Sequence, residues 1–326
     1  MMKYDLKATT SPTTIRKHRF LTGVIIVLLG AFQSCIFEDM EPCVQYDLTL
    51  KIVDSNGLQL PSETVDSIHL FLFDKKGYVR MVSTGRSNDF TIGYLKEEAL
   101  TLIAWGNLKK DSLLVPELSR GQLPEEVIIT LRQLEAFAVN PTDLFYARYT
   151  VTLGQDEALI GKATSLTHGV ETSDLRAAKA SVDTLTLSLE RIVASLTITG
   201  QYMDRRFGTD TAGYHFVVYS PRDALSFMGT LAGDTARYAP ATTMNTAGQL
   251  VTPAIRVLPT PVDGALTVAL FRGDSLLYTT SLDSRGEPLR AVAGKQIDIL
   301  LDFRYSYVKV SVDVVPWGEV RQDTEL

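Results

Sequence analysis

A chain of 326 residues, 45% apolar and 21% charged, has enough apolar surface to bury real cores, which excludes a largely disordered protein. At about 150 residues per domain, the length predicts two domains. The net charge of −6 is spread without a long basic run of the kind that neutralises phosphates, so nucleic acid is excluded as a partner. Four separated histidines (His18, His69, His168, His215) and two cysteines (Cys35, Cys43) provide no metal site and no disulfide framework.

The amino end carries the most specific pattern. Arg16, Lys17 and Arg19 precede an uncharged run from Phe20 to Phe32, the basic-then-apolar order of an export signal. The run falls short of the roughly 20 apolar residues a spanning helix needs. It closes at Ser34-Cys35, which resembles the lipobox of bacterial lipoproteins. That resemblance implies cleavage between Ser34 and Cys35, leaving residues 1–34 as the signal peptide, and lipidation of Cys35 with palmitate-like chains. At about 0.8 kcal/mol per buried methylene, several chains on one cysteine hold a protein firmly on a membrane.

Residues 35–45 form an acidic tether. Glu38, Asp39 and Glu41 resemble the surface-export signal of Bacteroidales lipoproteins; their plain reading is a solvated linker. Cys43 is read as a small buried apolar residue.

From Tyr46 the pattern has period two. Leu48, Leu50 and Ile52 share one strand face, because alternate side chains point the same way. Ile68 to Phe73, then Asp74-Lys75-Lys76-Gly77 and Tyr78-Val79, read as a hairpin. Strands are predicted at 100–105, 127–131, 144–151 and 185–189. A second group follows at 192–199, 214–219, 255–258, 266–271, 276–282, 297–303 and 308–315. Short strands at regular spacing predict an all-β chain of two antiparallel sandwiches. Domains are placed at 46–190 and 191–326, and short helices at Pro116–Leu123 and Asp174–Ala180.

Catalytic patterns are absent. There is no nucleophile elbow, dinucleotide fingerprint or zincin motif, so no catalytic, cofactor-binding or metal residue is assigned, and neither enzyme activity nor a small-molecule substrate is expected. Gly161-Lys162 lacks the rest of a phosphate loop and reads as an ordinary loop. Asp302 reads as part of a solvated strand face. Arg272-Gly273-Asp274 reads as a tight turn. Trp105 and Trp317 sit in or beside strand patterns and are assigned to packing.

Several phrases in order then resemble a known family: Cys35 with Glu38-Asp39 and Pro42-Cys43, Val65 to Asp74 with Gly77, Leu102 to Asn107, Asp143 to Ala147, Leu189 to Ala194, and Trp317. The chain resembles the FimB-type anchor lipoproteins of Bacteroidales fimbriae, which stand at the base of type V pili. The resemblance implies two transthyretin-like sandwiches and a lipid anchor in the outer membrane, exposed at the cell surface. It implies a structural role in cell adhesion, with a fimbrial shaft subunit as partner. Such a sandwich can accept a strand from another chain at an open sheet edge.

Shaft subunits of these pili lose an amino-terminal segment to an arginine-specific protease. The first arginine after Cys35 is Arg80, beyond the tether and first strand, so cleavage at the usual place could not release this chain from its lipid. The alternative reading is a surface lipoprotein that captures glycans, which requires exposed aromatic platforms.

Overall fold

The first strand, β1 (Gln45–Val53), keeps the period-two pattern and buries Leu48, Leu50 and Ile52. A computed structural model describes residues 45–317 apart from 86, 88, 94–98, 154–158, 165–170, 177–183, 209 and 211. From Gln45 onward the chain forms one compact unit.

The largest sheet has nine strands: β1, β2 (Ile68–Asp74), β3 (Gly77–Thr84), β4 (Asp89–Gly93), β5 (Ala99–Gly106), β10 (Phe145–Leu153), β11 (Leu159–Thr164), β12 (Glu171–Arg176) and β13 (Thr184–Arg191). Its order is β3-β2-β5-β10-β13-β1-β4, with β11 and β12 continuing from β10. The β10–β13 joint is only two pairs long, Phe145 with Arg191 and Tyr146 with Glu190. Beyond it the strands part, and the Tyr149 hydroxyl fills the gap. It donates to the Ser188 carbonyl (2.7 Å) and accepts from the Ser188 amide (2.5 Å). The two arms of the sheet then enclose one core, with Leu70, Leu102, Ala147 and Tyr149 on one side and Leu50, Ile52, Leu187 and Leu189 on the other.

The arm containing β2 and β5 is buried on both faces. Ile68, Leu70 and Leu72 face the core just described, while Phe71 and Phe73 join a second one. This is why Ile68 to Phe73 reads as a continuous apolar run instead of an alternating one. Gly77 closes the β2–β3 hairpin at φ +105°, and a Cβ there would lie 2.4 Å from the Gly121 carbonyl oxygen, so the turn requires glycine.

The later strands build two further sheets. One contains β14 (Ala194–Gln201), β19 (Thr243–Met244), β20 (Leu250–Val251), β21 (Ile255–Val257), β24 (Lys295–Asp302) and β25 (Lys309–Pro316). The other contains β15 (Tyr214–Ser220), β18 (Ala236–Tyr238), β22 (Thr267–Arg272) and β23 (Ser275–Thr280). Leu196, Ile198 and Ile299 of the first meet Phe216, Val218 and Leu270 of the second in a shared core. At Gly200 an added Cβ would be 3.3 Å from the Phe216 ring, so the close approach of the sheets uses its missing side chain. One short helix, α1 (Met203–Phe207), follows β14.

A fourth sheet crosses the Arg191 boundary. Its order is β17-β16-β7-β6, with β6 (Leu113–Leu114) and β7 (Ile128–Leu131) from before it, and β16 (Ala224–Ser226) and β17 (Leu231–Ala232) from after it. A two-stranded ribbon, β8 (Gln133–Leu134) with β9 (Phe137–Ala138), completes the set.

The all-β expectation holds, with differences in detail. Among the described residues two pairings are parallel, β1 with β13 and β14 with β24, where antiparallel neighbours alone were expected; in the first, the strand that opens the sheet in chain order lies beside the one that ends it. Pro116–Leu123 is not helical, because its backbone groups are used elsewhere: the Gly121 amide donates to the Tyr78 carbonyl (2.9 Å) and the Gln122 carbonyl accepts from the Tyr78 amide (2.8 Å). Asp174 lies in β12, paired with Lys162; residues 177–180 lie outside the described residues. Gly161-Lys162 is strand β11 and not a loop.

Candidate functional site

Three features stand out: the junction at Arg191, the open sheet edges, and an aromatic cluster at the β24–β25 turn. The proposed processing residues Ser34 and Cys35, the acidic Glu38, Asp39 and Glu41, and Cys43 all lie outside the described residues.

The junction is an aromatic plug. Phe227, just after β16, is fully buried against Phe71, Phe73 and Trp105, at centroid distances of 4.9, 6.3 and 5.9 Å. Its amide donates to the Val127 carbonyl (2.9 Å), and its carbonyl accepts from the Tyr146 hydroxyl (3.1 Å). Tyr146 in turn packs edge-on to Trp105 at 4.9 Å. Burial drives the hydroxyl pKa of Tyr146 well above its ordinary value, so it stays a proton donor. Trp105 is therefore core, as its strand context predicted, and not a stacking platform.

Arg191 locks the same region from the other side. Its guanidinium binds Asp143 through Nε (2.7 Å) and Nη2 (2.9 Å), and lies over Trp317 at 4.4 Å and Phe145 at 5.0 Å. The side chain is 8% exposed, and a buried charge needs this degree of pairing. Trp317 thus fastens the end of β25 to the end of β13. The sequence marked Arg191 as a boundary and within the Leu189 to Ala194 phrase but gave it no packing role, and Phe227 carried no periodic signal at all.

The long edges differ in how they are guarded. On β25 the Val310 amide donates to Ser284 Oγ (2.6 Å), its carbonyl accepts from the Ser284 amide (3.0 Å), and Pro316 has no amide to offer. Lys309 and Asp313 add charge. On β3 the Tyr78 end is covered by residues 121–122, and Arg80 is exposed along the strand. By contrast, β23 pairs among the described residues only with β22, contains no charged residue or proline, and leaves Leu276 54% exposed.

Other candidates resolve as structure. Arg272 pairs with Asp210 and lies over the Tyr214 ring at 5.2 Å, while Gly273 takes φ +55°, so Arg272-Gly273-Asp274 is a turn with its arginine engaged. Asp302 is not on a solvated face: its carboxylate is buried and held by Arg304 Nη2 (2.6 Å) and Nε (2.9 Å). The Arg304 hydrogen bonds hold the Asp302 carboxyl below the usual range. An open cleft of 310 Å³ lies beside β6, lined by Leu113, Leu114, Val115 and Ile128 with Lys110 and Arg132 at its rim. Among the described residues there is no cluster of metal-ligating side chains, and no helix is long and apolar enough to cross a membrane.

The fold matches those of solved proteins. It is similar to the fimbrial anchor protein Mfa2 from Porphyromonas gingivalis, with a TM-score of 0.58 at 16% identity over 84% of this chain and 98% of that one. It is equally similar, at a TM-score of 0.59 and 15% identity over 84% of this chain and 98% of that one, to proteins from Bacteroides thetaiotaomicron described as putative polysaccharide binding proteins. The chain belongs to the family of fimbrillin-A associated anchor proteins Mfa1 and Mfa2, whose pattern matches residues 40–323. A curated relative, the major fimbrium anchoring subunit FimB of Porphyromonas gingivalis, is 24% identical over 318 residues, covering 94% of this chain and 98% of the relative.

Proposed function

We propose that the protein anchors the base of a fimbrium in the outer membrane through lipid on Cys35 and engages the first shaft subunit by strand addition. Family membership carries the anchoring part. Cleavage between Ser34 and Cys35 leaves the acylated cysteine as the membrane attachment, and Glu38, Asp39 and Glu41 direct the chain to the cell surface. Residues 46–190 and 191–326 serve as two sandwich domains of a structural, non-catalytic subunit, with the plug at Phe227 making one body of them. Tension on a fimbrium is then borne by a shared core and not by a linker.

Strand addition needs an unpaired, uncharged edge, because an incoming chain gains a ladder of backbone hydrogen bonds there without burying a charge. Of the long edges, β23 meets that requirement. Its sequence Ser-Leu-Leu-Tyr-Thr-Thr has, among the described residues, only β22 as neighbour. Deleting the protein is expected to leave fimbriae synthesised but shed into the medium. Restoring it with Leu276→Lys is expected to give a membrane-held protein that captures less shaft subunit. Normal attached fimbriae in the deletion strain would contradict the anchor reading, and full capture by the Leu276→Lys variant would exclude β23 as the receiving edge.

A further inference from the structure

The turn between β24 and β25 carries side chains that neither packing nor anchoring explains. Tyr305 is 47% and Tyr307 59% exposed, yet their rings lie nearly parallel, 14° apart at a centroid distance of 5.6 Å. The Arg304 guanidinium sits 5.5 Å from the Tyr305 ring and 4.6 Å from that of Tyr202, which precedes α1. The row Tyr202, Arg304, Tyr305, Tyr307 thus alternates and then doubles aromatic faces around one cation.

The arrangement is held in place. Asp302 fixes Arg304 through three hydrogen bonds from Nε and Nη2, of 2.6 to 3.1 Å. Arg206 Nη1 reaches the Ser306 carbonyl at 3.5 Å, tying α1 to the turn. Tyr202 takes φ +58°, a left-handed conformation that costs a non-glycine residue energy and that clusters where a side chain must be aimed.

We propose that this row is a binding site for an acidic glycan. The axial C–H groups of a pyranose face are electropositive and fit the electron-rich face of an aromatic ring. Acidic substituents on the sugar then meet guanidinium donors in charge-assisted hydrogen bonds. The surroundings supply them: Arg205 lies 5.4 Å over the outer Tyr202 ring, Arg206 is adjacent, and neither is paired with a carboxylate among the described residues. Tyrosine and arginine also anchor protein–protein contacts; what favours a sugar here is a pair of parallel exposed rings beside the guanidinium groups of Arg205 and Arg206, and a protein partner is the alternative that the test separates.

The inference does not rest on the anchor reading, since it is argued from the β24–β25 turn and α1 alone; Tyr278 of β23 packs against Phe303 at 5.9 Å, so shaft-subunit capture is measured beside glycan retardation in the test. The test is affinity electrophoresis of the purified full chain through gels containing polygalacturonate, chondroitin sulfate or neutral dextran. Retardation is expected in at least one acidic gel and not in dextran. The Tyr305→Ala/Tyr307→Ala double variant should weaken it at least tenfold without a change in melting temperature, and Arg205→Gln should weaken it severalfold.

Absence of retardation with both acidic polymers overturns the proposal. Retardation that the double variant leaves intact does so too, because it would be long-range charge attraction alone. Equal retardation in dextran overturns the assignment of an acidic ligand. Loss of shaft-subunit capture by the double variant, with glycan retardation unchanged, would make the row a protein contact instead.

Discussion

Replacing Phe227 by alanine tests whether the two halves of the chain share one core. The side chain is fully buried and touches three aromatic rings from β2 and β5 at 4.9 to 6.3 Å. Truncating a buried phenylalanine costs about 3–5 kcal/mol through lost transfer energy and the cavity left behind. Each edge-to-face pair adds about 0.5–1.5 kcal/mol beyond buried area, so the upper part of that range is expected. At roughly 2–4 °C per kcal/mol for a body of this size, the melting temperature should fall by about 10 °C or more. Phe227→Leu keeps much of the volume but loses the ring contacts, and should cost less than the alanine variant.

The assay is calorimetry alongside tryptophan fluorescence, which reports Trp105 in the plug and Trp317 over Arg191. The wild-type chain should melt in one transition seen equally by both probes, and the alanine variant should shift that transition as a whole. Two separate wild-type transitions, with the variant moving only one, would refute the shared core. A loss below about 1 kcal/mol would refute the plug.

Arg191→Ala leaves the Asp143 carboxylate without its bidentate partner in a mostly buried site and should cost about 3–5 kcal/mol, measured by urea unfolding. Tyr149→Phe strands the Ser188 amide and carbonyl at the β10–β13 joint, for an expected loss of about 1–3 kcal/mol by the same measurement. The Arg304 hydrogen bonds lower the Asp302 pKa in the folded state, so the stability it contributes is present above the unfolded value of about 4 and fades as pH falls through the lower folded value. Urea midpoints from pH 5 to pH 2 should therefore fall more steeply in the wild type than in Asp302→Asn; parallel slopes would show that the pair adds nothing.

Strands were legible in the sequence wherever one face meets the core, because burial on one side imposes period two, as at Leu48, Leu50 and Ile52 or Ile297, Ile299 and Leu301. Buried tryptophan was legible in the same way. Connections between distant segments were not. The β1–β13 and β14–β24 parallel pairs and the β7–β16 pairing across Arg191 leave no local mark, since each strand would look the same with a different neighbour.

Phe227 belongs to that class: Ser-Phe-Met-Gly carries no periodicity, and its role comes from a pocket built by residues from Phe71 to Tyr146, far earlier in the chain. Asp302 was misread because its partner, Arg304, is two residues away and bends back over it, a geometry that composition cannot distinguish from two solvated charges. Tyr305 and Tyr307 had a weak signal, aromatic residues in a charged turn between two strong strands. Only the ring geometry gives it meaning.

Lipid anchoring of a fimbrium at Cys35 is the central claim, and one substitution tests it most directly. Cys35→Ala should move the protein from the cell envelope to soluble fractions and release fimbriae into the culture medium together with it. Fimbriae that remain attached to cells while the variant protein leaves the membrane would contradict the account.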